Sequence, residues 1–234
     1  MTGMVDLLQP GWGAREFRSL RAHRPRLKGS APVERTSSKR PDAVVVTAVV
    51  SLSLVYATLR YNVLKGVPWA DWPAYTLNKA IAVAALLLIV VAISRLTQRT
   101  GGIGKLLAAA GVLALMHSLL SFALFSPAYY ARLFESGKLT FLGGASMALG
   151  AGAMAAMELG ARRSDEWTRP QKGKGLALVA FVGGLHAALP AVPTWLEPGT
   201  WPGGMPPLTL ISFLAGAWGA GLWWRGHRHI KRVD

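Results

Sequence analysis

The chain has 234 residues, of which 52% are hydrophobic, and it carries a formal net charge of +15. It contains no cysteine, which excludes disulfides, c-type heme attachment, thiolate metal sites and cysteine nucleophiles. The sequence also lacks a serine elbow, a phosphate loop and an HExxH motif, so no hydrolase or nucleotide-binding signature is present.

The apolar residues are grouped in six stretches that carry little charge. They cover about residues 43–64, 80–94, 106–126, 139–157, 175–192 and 207–224. A helix needs roughly 20 apolar residues to cross a bilayer, and the second and fifth stretches reach that length only with flanking residues. The pattern predicts an all-α integral membrane protein that folds as a six-helix transmembrane bundle.

The distribution of lysine and arginine predicts how these helices are oriented. With the N-terminus placed inside, 21 of the 26 cations fall on the inner side and 5 on the outer side. Cytoplasmic loops of membrane proteins are enriched in Lys and Arg, so both termini are predicted to be cytoplasmic. The enrichment of cations on the cytoplasmic side of the lipid bilayer therefore accounts for the high positive charge, and no nucleic-acid partner is expected.

Three regions follow from this pattern. Residues 1–42 are predicted to be a disordered basic arm, which lies either on anionic head groups or free in solvent. Residues 43–225 form the transmembrane domain; no cleavable signal peptide is expected, because the first apolar stretch begins only near residue 43. Residues 226–234 form a basic cytoplasmic tail, in which His227 and His229 lack a third metal ligand at suitable spacing.

Two histidines lie inside apolar stretches, His117 in the third and His186 in the fifth. Each follows the last cation before its stretch, Lys105 or Lys174, by twelve residues. That spacing predicts a similar depth of roughly 18 Å for both rings. An imidazole at such depth needs a partner, and the partner we favour is the iron of one b-type heme between the rings. The alternative is a packed histidine satisfied by Ser121 or a neighbouring carbonyl.

Small residues accompany both histidines. Ala114 and Gly183 each precede a histidine by three residues, on nearly the same helical face, where they leave room for a flat macrocycle. Arg60, near the outer end of the first stretch, is expected either to anchor the helix at the interface or to pair with a heme propionate. A row of small residues in the fourth stretch predicts close packing of another helix: Gly144, Ala148, Gly152, Ala156 and Gly160.

Three segments carry a resemblance to a known family. They are NKAIAVAALLLIVVAISRL in the second stretch, GVLALMHSLL in the third and GLHAALP in the fifth. Together with the six-helix plan, they resemble the ferric reductase-like transmembrane family over about residues 43–225. Within that family the resemblance is to the heme-binding membrane subunit of the bacterial methionine sulfoxide reductase system. The resemblance implies a bacterial inner-membrane protein in which His117 and His186 ligate a b-type heme. The second heme common in that family is not implied, because Gly173 and the segment GGIGKLL stand where its histidines would be.

The leading functional hypothesis is a single-heme subunit of an oxidoreductase with no catalytic domain of its own. It would pass electrons between a quinol or a partner protein of the membrane or periplasm and an acceptor on the outer face. The alternative is a heme-free structural or assembly subunit of a larger membrane complex. A transporter or proton channel has less support, because only Glu158 joins the two histidines as an ionisable group expected in the membrane, and Arg162 follows it at ion-pair spacing.

Overall fold

The computed structural model describes residues 40–230, and six α-helices make up most of this range. The prediction of a disordered arm concerns residues that lie almost entirely outside the described range. The last helix continues past residue 225, into the segment assigned to the tail. The helices are α1 (Arg40–Thr58), α2 (Leu77–Gln98), α3 (Gly104–Ala123), α4 (Phe141–Arg162), α5 (Arg169–Ala188) and α6 (Leu208–Ile230).

Five helical segments are long and apolar enough to cross a membrane. They are Asp42–Leu64, Trp69–Gln98, Gly104–Ala123, Phe141–Arg162 and Pro202–Gly226. The chain is therefore an all-α, multi-pass membrane protein by length and composition. The helix α5 is not among the five, since Arg169, Lys172 and Lys174 lie in its first two turns and lower its mean hydropathy. The crossing of α5, and with it the sixth span, stays a prediction.

Contacts between helix termini define one end of the bundle, which we call the Asp42 end. Here Arg95, in the last turn of α2, forms an ion pair of 2.5 Å with Asp42 at the start of α1. Arg169, the first residue of α5, donates a hydrogen bond of 3.1 Å to the carbonyl of Leu96. The start of α1, the end of α2 and the start of α5 thus lie together.

The opposite end, which we call the Tyr129 end, gathers the connections between the helices. The Tyr129 hydroxyl, beyond the end of α3, donates to the carbonyl of Ala74 just before α2 at 2.6 Å. The Tyr56 hydroxyl of α1 donates to the carbonyl of Pro206 just before α6 at 2.8 Å. Because α5 begins at the Asp42 end and α6 begins at this one, α5 traverses the bundle like the other helices.

The helix α2 lies at the centre and packs against α1, α3, α5 and α6. Its residues Leu88, Ala92 and Ile93 are fully buried. In contrast, α3 buries only Leu106 and Ala110 and packs mainly on α2; it makes no extended contact with α5. The exposed apolar side chains of α3 and α4 suit a lipid environment.

Irregular structure is concentrated at the Tyr129 end. Two π-helical turns, Leu59–Leu64 and Trp72–Thr76, lie within the connection between α1 and α2, one at each of its ends. The connection before α4 contains a short antiparallel hairpin of β1 (Phe134–Glu135) and β2 (Lys138–Leu139). Its two turn residues, Ser136 and Gly137, have φ values of 49° and 75°, which match a two-residue hairpin turn.

Candidate functional site

His117 lies half-buried on α3 and is bonded to the start of α2. Its Nδ1 atom is 2.7 Å from Asn78 Oδ1 and 3.2 Å from the Asn78 carbonyl oxygen. Asn78 is almost fully buried, with 2% of its surface exposed. Because a carbonyl oxygen can only accept, Nδ1 of His117 carries the proton and donates it.

A small polar network holds the Asn78 side chain. Its Nδ2 atom lies 3.1 Å from both Ser121 Oγ and the Tyr130 hydroxyl, which is itself 3.1 Å from Ser121 Oγ. Burial raises the pKa of Tyr130 although its bonds to Ser121 and Asn78 oppose the change, so the phenol stays protonated at physiological pH. With Nδ2 facing two hydroxyls, Oδ1 points to His117 and fixes the orientation of the ring.

His186 lies near the end of α5 and is held by α4. Its Nδ1 atom is 2.6 Å from the carbonyl oxygen of Ser146 and 3.1 Å from Ser146 Oγ. The Ser146 hydroxyl in turn donates to the His186 carbonyl at 2.8 Å. One turn further along α4, Gly150 lies against the ring: a Cβ atom there would be 3.0 Å from His186 Nδ1 and Cε1.

These bonds assign the same tautomer to both rings. Nδ1 carries the proton in each case, because each bonds to a backbone carbonyl, so the lone pair resides on Nε2. Within residues 40–230, every hydrogen bond made by the imidazole rings of His117 and His186 runs through Nδ1. Nε2 is therefore the atom available to a metal, and an Nδ1–H bonded to an oxygen is the usual support of a ligating histidine.

The His117 and His186 rings belong to two helices, α3 and α5, that both pack against α2. They lie close enough for a charge on one imidazole to act on the other. In the described part of the chain, no three His, Asp or Glu side chains form a cluster that could hold a metal ion alone. Two imidazoles suit an iron whose remaining ligands come from a macrocycle, so the residues present fit a bis-histidine heme.

Ala114 and Gly183, predicted to make room for the macrocycle, lie in different surroundings. Ala114 is half-buried one turn before His117 on α3. A Cβ atom at Gly183 would make ordinary contact with Leu86 of α2, at 3.8 Å. The glycine that α5 needs for close packing is Gly184, where a Cβ would lie 3.0 Å from the Ser212 carbonyl of α6.

The predicted row of small residues on α4 does not form the centre of its helix contact. Ala148 and Gly152 are exposed, and a Cβ at Gly152 would meet nothing within 4 Å in the described structure. The face of α4 that meets α5 carries Ser146 and Gly150 instead. At Ala148 and Gly152 no described helix uses this row, whereas α5 is held on the other face through the Ser146 hydrogen bonds; close packing of another helix on the row stays a prediction.

Arg60 lies in the first π-helical turn and is buried, with 6% of its surface exposed. Its guanidinium donates from Nη1 to the carbonyl of Met205, and its Nε atom is buried without a hydrogen-bond partner. This burial does not suit an interface anchor, which would extend to the head groups. The propionate alternative for Arg60 stays a prediction.

Three contributors to the site were not selected from the sequence: Asn78, Ser146 and Gly150. Asn78 and Ser146 could have been found as single polar residues within apolar helices, because such a residue needs an internal partner in a membrane. Gly150 carries no comparable signal. Comparison with protein-family models gives no match to this chain, and comparison with curated proteins gives none either. The ferric reductase-like resemblance therefore stays a prediction that rests on the segments quoted above.

Proposed function

We propose that this protein is a b-type heme-binding subunit of a ferric reductase-like membrane system, with one heme ligated by His117 and His186. It passes electrons between a quinol or a partner protein and an acceptor on the outer face. The observation that supports this proposal is that the two imidazole rings have the same tautomer and the same type of hydrogen bond. Both are held through Nδ1 by a backbone carbonyl, both keep their lone pair on Nε2, and they lie within electrostatic reach of each other.

A heme supplies one-electron oxidation and reduction when it is bound. The chain's own groups set the conditions for that chemistry. Asn78 and Ser146 keep the proton on Nδ1, orient each ring and raise the basicity of Nε2 through the acceptor oxygens. The apolar side chains of the surrounding helices would give a bound heme surroundings of low dielectric constant, which would influence its reduction potential.

A hemin titration of the purified full-length chain tests the proposal. We expect one hemin per chain, with the spectrum of a six-coordinate low-spin iron. His117→Ala and His186→Ala should each lose that spectrum, because each removes one ligand. His227→Ala, a histidine change outside the apolar stretches, serves as the matched control and should leave the spectrum unchanged. Failure of the wild-type chain to bind hemin would refute the proposal.

We further propose a bacterial inner-membrane location, six spans, and the Asp42 end on the cytoplasmic side with both termini. The absence of native cysteine makes single-cysteine labelling in intact cells clean. Glu135→Cys in the hairpin and Glu197→Cys between α5 and α6 should both react with an impermeant thiol reagent. Asp165→Cys, between α4 and α5, should react only after lysis. Protection of Glu197→Cys in intact cells would contradict the crossing of α5.

The second candidate is a heme-free structural or assembly subunit of a larger complex. It is favoured by one observation: each ring already has a hydrogen-bond partner within the chain, so neither histidine requires a metal to be stable in the bundle. This function predicts a colourless protein from heme-replete cells that co-purifies with a partner. It also predicts that His117→Ala and His186→Ala retain function in the host.

A further inference from the structure

Three cations converge on one buried ring at the Tyr129 end. Arg60 Cζ, Lys65 Nζ and Lys79 Nζ lie 5.8, 6.0 and 5.4 Å from the centroid of the Tyr61 ring, which is 8% exposed. Lys79 Nζ also lies 3.1 Å from the centroid of the Tyr75 ring. The three charges come from two segments of the chain. Arg60 lies in the first π-helical turn and Lys65 directly follows it, whereas Lys79 lies at the start of α2.

None of these cations has a carboxylate partner in the described structure. The ion pairs found among residues 40–230 are at Asp42 and Glu158, on other parts of the bundle. Lys79 Nζ donates to the Tyr75 carbonyl at 3.3 Å, and Arg60 Nε is buried without a hydrogen-bond partner among the described residues. Asp71, the acidic residue of this segment, is exposed and forms no ion pair with the cluster.

Such an arrangement leaves positive charge without compensation in a region of low dielectric constant. Aromatic faces offset part of that cost, but a cation withdrawn from water is normally balanced by an anion. The burial of Arg60 and Tyr61 favours an anion within the bundle over a head group at its surface. Lys79 directly follows Asn78, and its charge is close enough to act on the ring of His117.

We infer that Arg60, Lys65 and Lys79 form a binding site for an oxyanion, and that this oxyanion is a propionate of the porphyrin. The inference rests on the proposed function. In this assignment Lys79 and the unpaired Nε of Arg60 supply the donors. The exposed Lys65 adds positive charge at the rim. The chemistry required is that of a carboxylate, which accepts charge-assisted hydrogen bonds from both ammonium and guanidinium groups.

Titrations of the purified full-length chain with hemin and with hemin dimethyl ester, which has no propionate charge, test this assignment. Wild type should bind hemin more tightly than the ester by on the order of tenfold or more, the effect of one hydrogen bond to a charged group. Lys79→Gln should lose the preference, whereas Lys79→Arg should retain it. Lys138→Gln, an exposed lysine of the hairpin, is the matched control. The visible spectrum should be the same throughout, since the iron ligands are unchanged.

Equal affinity of the wild-type chain for hemin and ester would overturn the propionate site and leave the proposed function standing. An undiminished preference in both Lys79→Gln and Arg60→Gln would overturn it too, and the second variant serves if the first fails to fold. If wild type binds both compounds equally but Lys79→Gln loses a co-purified anionic phospholipid, the oxyanion is a lipid phosphate and the porphyrin assignment is wrong. If the wild-type chain binds neither compound, the proposed function fails and this inference with it.

Discussion

The contact between Gly150 and His186 allows a sharp test of how the second histidine is held. In Gly150→Ala, the new methyl group would lie 3.0 Å from His186 Nδ1 and Cε1, closer than ordinary van der Waals contact. The ring cannot turn away freely, because Nδ1 is bonded to the Ser146 carbonyl at 2.6 Å. The substitution should therefore strain the same hydrogen bond that fixes the tautomer.

The expected size of the effect follows from two opposing contributions. Replacing glycine by alanine inside a helix stabilises it by roughly 0.5–1 kcal/mol. Overpacking at a tight contact typically costs about 1–3 kcal/mol. Gly152→Ala, on the same helix, isolates the first contribution, because a Cβ there meets nothing within 4 Å in the described structure. The free energy of unfolding of Gly150→Ala should be lower than that of Gly152→Ala by about 1–3 kcal/mol.

Reversible unfolding of both variants in the same detergent provides the assay, with hemin affinity as a second measurement. We expect weaker hemin binding in Gly150→Ala and wild-type binding in Gly152→Ala. Equal stability and equal hemin affinity in the two variants would refute the assigned packing of His186 on α4.

Three further predictions concern the polar groups around the site. Ser146→Ala removes the hydroxyl but keeps the carbonyl that binds His186 Nδ1, so stability should fall by about 1 kcal/mol with little change in hemin affinity; a large loss of affinity would contradict this. Asn78→Leu removes the side-chain acceptor of His117 and should weaken hemin binding by roughly 10-fold or more in a titration; unchanged binding would show that the backbone carbonyl suffices. Burial raises the pKa of Tyr129, so the folded chain retains a proton that the unfolded chain loses above pH of about 10. Thermal stability should therefore fall as pH rises past that value, and Tyr129→Phe should reduce the slope; an equal slope in the variant would argue against it.

The helices were predictable because an apolar run of bilayer length has few other structures available to it. The residues at which the helices begin and end were less predictable. The sequence placed the second span at about 80–94, whereas the apolar helical segment covers Trp69–Gln98. The difference arises because Asn78 and Lys79 lie inside the bundle with internal partners, although their polarity suggests a position outside it.

The two histidines of the candidate site were predictable from the sequence, but the groups that hold them were not. His117 and His186 stand out as titratable residues in apolar stretches, but their supporting groups lie 39 and 40 residues away along the chain. Neither helical periodicity nor composition links residues over that separation. The burial of Arg60 was equally hidden, since its acceptor is a backbone carbonyl 145 residues away, which has no sequence signature.

Low-temperature electron paramagnetic resonance of the purified, oxidised protein from heme-replete cells tests most directly whether the two Nε2 atoms share one iron. We predict the low-spin ferric signal of bis-imidazole ligation in the wild-type chain, absent from His117→Ala and from His186→Ala. A preparation without heme, or a low-spin signal that persists unchanged in both variants, would contradict the assignment of these two histidines as ligands.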